Sequence, residues 1–500
     1  MLVVKALENI DRFKIKKNDK LTFYVVDAHH HLGREGGHQN TPIGSYDFYT
    51  LLWFEIKRMA SEMKENDELL LEPIEVRPSA TVSAFIEQDP DWARINHGWL
   101  VDRTIAFPYT DDYWKSGFPE KASFSVSNDR IAGWTTRGPH SLRFIGFARV
   151  DPKDAEINPR LAVDEVNRAV STLGLRGLKL HPLAQLFTDE ITGDLAADVV
   201  KTAGQFGVPV LFDTRNMKTV ERIMELLRMM RTDKNYRKSL RGLKIIIAHC
   251  GMSPGDSKLY DALSDPIVFG EASSLHGNDI PVLLDMLQKR LSGQGFAWSE
   301  KLMFGTDYSF LTVQAADLIL HLLSREFRGT PADIQRILGG NALAVAQRPF
   351  RSVSKVAIKP KQVAVKVKPR EFVKKTAEIL MNMTKSKKWQ LSSLDFMLPP
   401  EHTWPIPTTE SDGECNGVYL HSIIATLTSK GNKKQVQVRT RQLPGGYVAV
   451  FLGSTKEVSL PAFCESGLEE KDKLFLESLS EQTIIADSPD DALSIIIQDL

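Results

Sequence analysis

Eight short apolar runs, separated by longer segments, constrain the fold of this chain more than any other feature. Between most of them, apolar residues recur at spacings of three and four, as in Val166, Ala169, Val170 and Leu173, which is typical of helices that bury one face. Apolar strands that alternate with amphipathic helices predict a parallel sheet covered by helices. Eight such units close most naturally into a (β/α)₈ TIM barrel. The predicted strands are residues 21–27, 101–107, 142–150, 175–180, 208–213, 243–248, 266–271 and 301–306.

The character of the sequence changes after Asn341. Residues 351–370 are rich in Lys, Val and Pro, which predicts a basic linker or an exposed edge strand. Alternating strands further on predict a smaller α+β domain of unknown function over residues 371–500. The sequence therefore predicts a barrel domain over residues 1–350, and a barrel core of eight units is expected to fold without the tail.

Composition excludes several classes of protein. Lys and Arg together number 63 and Asp and Glu 63, so the net charge gives no argument for nucleic acid or membrane as a partner. No apolar run reaches the roughly 18 residues of a membrane span, and the three cysteines are too scattered for a disulfide framework. We expect a cytoplasmic protein with a small-molecule substrate, and homodimer formation stays open. The basic arm 355–388 is more simply explained by docking on the acidic domain that follows than by phosphate binding.

The histidines of Asp27-Ala28-His29-His30-His31 directly follow the first predicted strand. Alternate side chains of a strand share one face, so His29 and His31 point the same way and His30 points elsewhere. If that face is the barrel interior, two imidazoles converge where barrel enzymes place their sites and where a divalent metal can bind. A histidine-rich surface turn is the alternative.

Other predicted strands end in groups of the same kind. Lys179 and His181 share one face at the end of the fourth strand, His249 follows the sixth, and Asp307 follows the eighth. A single histidine after a strand is usually structural, but four separate strand ends with metal-competent groups are hard to attribute to chance.

Arg215 lies where its guanidinium could hold a substrate carboxylate, although a surface salt bridge is the favoured explanation. Glu271 lies near another strand end and is a similar candidate.

The ordered motifs DAHHH, GLKLHP, IIIAHCG, FGTD and ILGGNA resemble the amidohydrolase superfamily over roughly residues 20–347. The resemblance is to the amidohydrolase-2 branch, which includes aminocarboxymuconate-semialdehyde decarboxylase and related hydrolases, lactonases and hydratases. It implies that His29, His31 and Asp307 are metal ligands and that Asp307 also accepts a proton. It also implies that His249 is an acid or base that either supports the metal ligands from behind or faces the substrate.

Asp213 departs from this pattern, because the fifth strand of the branch usually ends in histidine. A carboxylate is a good ligand for zinc or manganese, so Asp213 is interpreted as a replacement metal ligand, with a site that has lost its metal as the alternative. If Asp213 is not a ligand, His181 is the next candidate. Lys179 is interpreted as a buried, ion-paired lysine rather than a carbamylated bridge between two metals, which predicts a mononuclear site.

These residues predict a metal-dependent hydrolase with Zn²⁺, or alternatively Mn²⁺, at the mouth of the barrel. A divalent cation lowers the pKa of a bound water from about 15.7 to about 7 and polarises a carbonyl for attack. The expected substrate is a small organic molecule with a carboxylate, amide, ester or lactone group. The same arrangement supports decarboxylation, and a non-catalytic barrel that binds a small molecule is a further alternative.

Overall fold

The computed structural model describes most of the chain. The described residues are 1–35, 38–89, 92, 98–110, 121–308, 312–346, 361–367, 369–386, 388–397, 422–429, 435–442, 447–452 and 483–498.

Strands and α-helices of the described residues alternate along the first two thirds of the chain. The strands are β1 (Leu2–Ala6), β2 (Lys20–Phe23), β3 (Val26–Glu35), β4 (His38–Asn40), β5 (Leu71–Val76), β6 (Arg103–Pro108), β7 (Phe144–Gly146), β8 (Ala148–Arg149), β9 (Leu178–Leu180), β10 (Pro209–Phe212), β11 (Lys244–Ile247), β12 (Val268–Glu271), β13 (Leu302–Met303), β14 (Lys361–Lys366), β15 (Trp389–Met397), β16 (Ser422–Ser429), β17 (Gln435–Gln442), β18 (Tyr447–Leu452) and β19 (Thr483–Ala486). The helices are α1 (Pro42–Glu65), α2 (Ala80–Gln88), α3 (Ser125–Thr135), α4 (Asp154–Ile157), α5 (Leu161–Ser171), α6 (Asp194–Phe206), α7 (Met217–Thr232), α8 (Ser257–Leu263), α9 (Asp279–Leu291), α10 (Thr312–Leu323), α11 (Pro331–Gln335), α12 (Asn341–Val345), α13 (Pro369–Lys385) and α14 (Pro489–Ile497).

Eight parallel strands of the described residues form the TIM barrel that the sequence predicts, with β7 and β8 counted as one interrupted strand. Strand β3 pairs with β6 and β6 with β7, and strands β8 to β13 pair in chain order. The ring closes between the last strand and the first, where the amide of Ala28 donates to the carbonyl of Phe304 and the amide of Asp307 donates to the carbonyl of His29, both at 2.9 Å. The C-terminal strand ends therefore meet at one mouth.

The first barrel strand differs from the predicted one. The apolar run at 21–27 is divided, because β2 pairs with β1 outside the barrel and β3 begins only at Val26. At the break, the side-chain amide of Gln335 bonds both the backbone N–H of Tyr24, at 2.9 Å, and its carbonyl, at 2.8 Å. One apolar run thus serves two sheets, and the three histidines lie inside β3 rather than after its end.

The helices cover the barrel with the faces that the spacing predicts. In α5, Leu161, Val166 and Val170 are buried. Burying one such side chain contributes about 1.5–3 kcal/mol, so this stripe fixes the orientation of the helix. Helix α6 ends at Gly207, whose left-handed φ of 68° turns the chain directly into β10.

A second compact unit is built around a six-stranded sheet of the described residues, in the order β15-β16-β17-β18-β14-β19. Strand β14 pairs antiparallel with β18 and parallel with β19. Helices α2, α13 and α14 belong to the same unit, and Phe85 of α2 is fully buried with its ring stacked on Trp92, 5.6 Å between centroids.

The two units do not follow the order of the chain. One comprises Met1–Arg77, His97–Thr136 and Arg143–Ser352, and the other comprises Pro78–Asn96, Arg137–Leu142 and Val353–Leu500. Residues 1–350 alone would therefore lack the partners of the Pro78–Asn96 segment, which no sequence signal indicated.

The basic stretch 351–370 also differs from its interpretation as a linker or edge strand. Its residues 361–366 form β14, which has a paired strand on each side. Residues 351–360 lie outside the described residues. Within the described part of the chain, no helix combines the length and the apolar character needed to cross a membrane.

Candidate active site

Titratable side chains from six barrel strands meet at the C-terminal mouth. Each is buried or nearly so, because the strand ends point into the ring. Strand β3 contributes His29 and His31 and β9 contributes Lys179, while Asp213, His249, Glu271 and Asp307 lie at or just beyond the ends of β10, β11, β12 and β13.

Two of these side chains sit on strained backbone. His249 has a φ of 56° and Asp307 a φ of 49°, the left-handed region that costs a residue with a Cβ about 1–2 kcal/mol. The conformation turns the chain sharply at the end of the strand. Such strain persists only where the surrounding structure enforces it, and it is concentrated at functional sites.

His29, His31 and Asp307 present a set of converging lone pairs. The Nε2 atoms of both histidines lie 3.3 Å from Oδ1 of Asp307. Among the described residues, that oxygen and Nδ1 of His31 have no hydrogen-bond partner although both are buried. A buried carboxylate oxygen that faces two imidazole nitrogens at this distance is an arrangement that suits a cation.

Glu271 fixes the orientation of His29. Its Oε2 lies 2.9 Å from Nδ1 of His29, so when Nδ1–H donates to the carboxylate the lone pair of Nε2 faces the site, where Nζ of Lys179 lies 3.1 Å from it. The backbone and hydroxyl of Ser273 donate to Glu271 at 2.5 and 2.7 Å. Burial, followed by the charge of Lys179, lowers the pKa of His29 well below its usual value, and burial lowers the pKa of His31 to about 4. Both imidazoles are therefore neutral and able to bind a metal.

Gly305 makes room for Glu271. A Cβ at this position would collide with Oε1 of Glu271 and lie 3.0 Å from Cβ of His29. We expect Gly305→Ala to lower the stability by about 1–3 kcal/mol, because neither buried neighbour can move freely. Thermal unfolding should show the difference against Gly255→Ala, whose Cβ would have nothing within 4 Å. Equal melting temperatures for the two variants would contradict the packing argument.

Asp213 and Lys179 form a buried ion pair. Nζ of Lys179 lies 2.9 Å from Oδ2 of Asp213 and 3.1 Å from Nε2 of His29. Burial lowers the pKa of Lys179 to about 8. Burial alone would raise the pKa of Asp213, but Lys179 and then His249 hold it well below its usual range. The lysine therefore has the ion-paired environment that the sequence favoured over a carbamylated bridge.

His249 lies on the other side of the same carboxylate. Its Nε2 is 3.5 Å from Oδ2 of Asp213, and its Nδ1 is 3.2 Å from the carbonyl of Ser273, which makes Nδ1 the protonated nitrogen. Burial lowers the pKa of His249, but the hydrogen bond and charge of Asp213 outweigh it, so the pKa is raised overall. His29, Asp213 and His249 thus form a second group with metal-ligand spacing.

His181 lies beyond both groups. Its Nδ1 accepts from the amide of Ala184 at 3.2 Å, and its Nε2 is 3.5 Å from Oδ1 of Asp213. Burial lowers the pKa of His181 to about 3. It contacts Asp213 and is not in either group of three potential ligands.

Arg215 reaches into the mouth from the loop after β10. Its Nε donates to Oδ1 of Asp213 at 3.0 Å, and Nη2 lies 3.5 Å from Oδ2 of Asp307. The side chain is 34% exposed, so part of the guanidinium faces the solvent side of the site.

His30 points away from this cluster, as the alternation predicts. Its Nδ1 lies 3.0 Å from Asp27 and its Nε2 lies 2.7 Å from the hydroxyl of Ser45 on α1. The imidazole ring also stacks on Tyr308, with 4.8 Å between centroids. His30 therefore anchors the strand that carries His29 and His31.

Part of the chain is similar to known proteins. The family model for amidohydrolases matches residues 114–345. This segment, somewhat under half of the chain, therefore matches the amidohydrolase family. His29 and His31 precede the matched segment, and their place beside Asp307 comes from the closure of the barrel. No curated protein matches the chain.

Several solved structures are similar to part of the chain at low sequence identity. One is 2,6-dihydroxybenzoate decarboxylase from Rhizobium, with a TM-score of 0.38, 13% identity, and coverage of 65% of this chain and 98% of that one. Another is 4-oxalomesaconate hydratase from Rhodopseudomonas palustris, with a TM-score of 0.36, 15% identity, and coverage of 64% and 95%. About a third of the present chain therefore lies outside each match.

Some residues of the candidate site have no clear signal in the sequence. Arg149 of β8 is fully buried, and its charge is among the causes that lower the pKa of His31, Lys179 and His181. Ser274 donates to Oδ2 of Asp307 at 2.8 Å. For Arg149, the only indication in the sequence is that an arginine stands within the apolar run RFIGFARV. Nothing in the sequence marks Ser274 as a site residue.

Proposed function

We propose that this chain is a metal-dependent hydrolase that cleaves an amide, ester or lactone bond in a small substrate bearing a carboxylate. The observation that carries the proposal is the convergence of His29, His31 and Asp307 on one point, with Oδ1 of Asp307 buried and without a hydrogen bond among the described residues. The amidohydrolase match supports the same class of protein.

The donor set fits a divalent cation. Two ligands of a tetrahedral zinc, each about 2.0–2.1 Å from the ion, are about 3.3 Å apart. That is the separation between Oδ1 of Asp307 and each histidine Nε2. Two imidazoles and a carboxylate suit zinc, and manganese is the alternative. We infer that His29, His31 and Asp307 hold the ion, with Asp213 assigned to Lys179 as its counterion.

Asp307 is placed to move the proton. When bound, a divalent cation would acidify a water molecule and polarise the substrate carbonyl. Burial alone would raise the pKa of Asp307, but His29, His31 and His249 outweigh it and hold the pKa well below its usual value. The carboxylate is therefore ionised and can accept a proton from water and return it to the leaving group. Ser274 and Arg215 hold its other oxygen.

Arg215 is the group we assign to the substrate carboxylate. Its Nε is held by Asp213, which orients the guanidinium and leaves Nη1 without a partner among the described residues. A planar guanidinium binds a carboxylate through two parallel hydrogen bonds, which gives both affinity and orientation.

The proposal is tested with the zinc-loaded protein and a panel of small carboxylate-bearing amides, esters and lactones in ¹⁸O-labelled water. We expect ¹⁸O in a product carboxylate, and loss of turnover by about 10²-fold or more in Asp307→Asn. Arg215→Met should raise KM for the anionic substrate far more than for its neutral methyl ester, whereas His276→Ala, an exposed histidine, should change neither. Release of carbon dioxide without ¹⁸O incorporation would replace hydrolysis by decarboxylation. Equal turnover by Asp307→Asn would refute the proposed site.

A further inference from the structure

A bulge interrupts the strand that carries the two histidines. Asp27 of β3 pairs with Thr104 of β6. The next pair is His30 with Ala106, so β3 has two residues between the pairs where β6 has one. The extra residue brings the side chains of Asp27 and His30 together, 3.0 Å apart, although an unbroken strand would place them on opposite faces. The bulge contains His29, so whatever fixes the bulge also aims that imidazole.

The carboxylate of Asp27 holds the backbone on both sides of the barrel closure. It is fully buried, and its Oδ1 accepts from the amide of His29 at 3.1 Å and from the amide of Thr306 at 2.9 Å. Its Oδ2 accepts from the hydroxyl of Thr306 at 2.6 Å and from the hydroxyl of Tyr49, on α1, at 2.8 Å. One side chain therefore fastens the bulge to the residue that precedes Asp307.

These bonds matter because the sheet alone does not position Asp307. Strand β13 ends at Met303, so Asp307 lies four residues beyond the last residue that the sheet pairs with β12. Oδ1 of Asp307 is nevertheless held 3.3 Å from Nε2 of His29. The bonds to Asp27 attach both segments of backbone to one buried group, which restricts that separation.

We propose that Asp27 is a positioning residue for the metal site, an inference that rests on the proposed function. Both oxygens of its carboxylate are occupied by hydrogen bonds, so Asp27 does not bind the ion itself. It sets the affinity for the ion through His29 and Asp307, whose donor atoms it holds in place. Groups that orient metal ligands without touching the metal typically contribute about 10- to 100-fold to metal affinity.

The test is a titration of the metal-free full chain with Co²⁺, in competition with a chelator of known affinity and followed by the visible absorption of the bound ion. We expect Asp27→Asn to raise Kd for Co²⁺ by about tenfold or more. The reason is that one carboxylate oxygen becomes an NH₂ group, which cannot accept a hydrogen bond from the amides or hydroxyls that face it.

Asp102→Asn is the matched control, because Asp102 is also a buried acid and holds the other end of the same strand. Its Oδ2 accepts from the amide of Val25, just before β3, at 2.9 Å. We expect Asp102→Asn to lower the melting temperature as Asp27→Asn does and to leave Kd for Co²⁺ unchanged. The comparison separates damage to the strand from displacement of the ligands.

Thr306 separates hydrogen bonding from packing and does not require Asp27→Asn to fold. Thr306→Val keeps the shape of the side chain but removes the hydroxyl that donates to Asp27, whereas Thr306→Ser keeps the hydroxyl and removes only a methyl group. We expect the valine variant to raise Kd for Co²⁺ by about tenfold and the serine variant to bind as the parent does. A role in packing alone predicts the reverse order.

Circular dichroism establishes which variants are folded. A Kd like that of the parent in Thr306→Val or in folded Asp27→Asn, or an equal rise in Asp102→Asn, would overturn this inference and leave the metal site itself intact. A parent chain that does not bind Co²⁺ would overturn the proposed function, and this inference with it.

Discussion

Replacing His29 or His31 by alanine is expected to reduce bound divalent metal from about one equivalent per chain to background. Each histidine presents a lone pair to the same point as Oδ1 of Asp307, so either change leaves only two protein ligands. Elemental analysis of the purified proteins measures the effect directly and needs no substrate.

His30→Asn is the matched control, because it alters the neighbouring histidine of the same strand. His30 is bonded to Asp27 and Ser45 on the opposite face, so its replacement should lower stability and leave the metal content unchanged. Metal loss in His30→Asn equal to that in His31→Ala would mean that the metal depends on the integrity of the strand rather than on its ligands.

Removal of the metal by a chelator is a second test of the ligands His29, His31 and Asp307. An ion that binds only the folded state stabilises it by about 4 kcal/mol when free metal exceeds Kd by about a thousandfold. Chelation should therefore lower the melting temperature of the parent and leave that of His31→Ala unchanged. If the melting temperature of the parent did not respond, the metal assignment would be wrong.

Asp213→Ala is expected to cost about 3–5 kcal/mol of stability, the usual result of removing one partner from a buried ion pair. Lys179 would be left without its 2.9 Å partner and beside Nε2 of His29. Because an unpaired ammonium competes for that lone pair, metal binding should weaken as well. The single variant therefore does not separate a counterion from a ligand.

The double variant Lys179→Met with Asp213→Leu separates the two roles. If Asp213 is the counterion of Lys179, replacing both by apolar residues removes the uncompensated buried charge. Metal content should then return, and stability should return in part, because Arg215 and His249 still lose their contacts with Asp213. If Asp213 is a ligand in place of histidine, as the sequence predicts, the metal should stay lost in the double variant and Asp213→His alone should retain it. Chemical unfolding and metal analysis of the four proteins decide between these outcomes.

The sequence predicts the barrel well because strands buried on both faces read as apolar runs. It also predicts that His29 and His31 share a face, since side chains alternate along any strand. The sequence does not predict that the buried partner of Asp213 is Lys179. Only the register of β9 against β10, which pairs Lys179 with Leu211, determines which side chains of neighbouring strands meet. Register depends on the closure of the whole barrel and leaves no local pattern.

The second compact unit could not be predicted from the sequence for a different reason. The Pro78–Asn96 segment resembles any amphipathic insertion, and α13, the helix on which its α2 packs, lies more than 250 residues further along the chain. The basic stretch at 361–366 is rich in lysine, which usually marks an edge, yet β14 is paired on both sides. In both cases the deciding contacts are remote in sequence, so local composition indicates the wrong environment.

The assembly of that unit from three separate segments has a consequence for biosynthesis. The segment carrying Phe85 leaves the ribosome some 257 residues before Val353, the first residue of the remaining part of its unit. At about 5–20 residues per second, its apolar face waits roughly 13–50 s for those partners. During that interval the nascent chain displays an unburied aromatic cluster, so its yield in the cell should depend on chaperones that bind such surfaces and on the rate of translation.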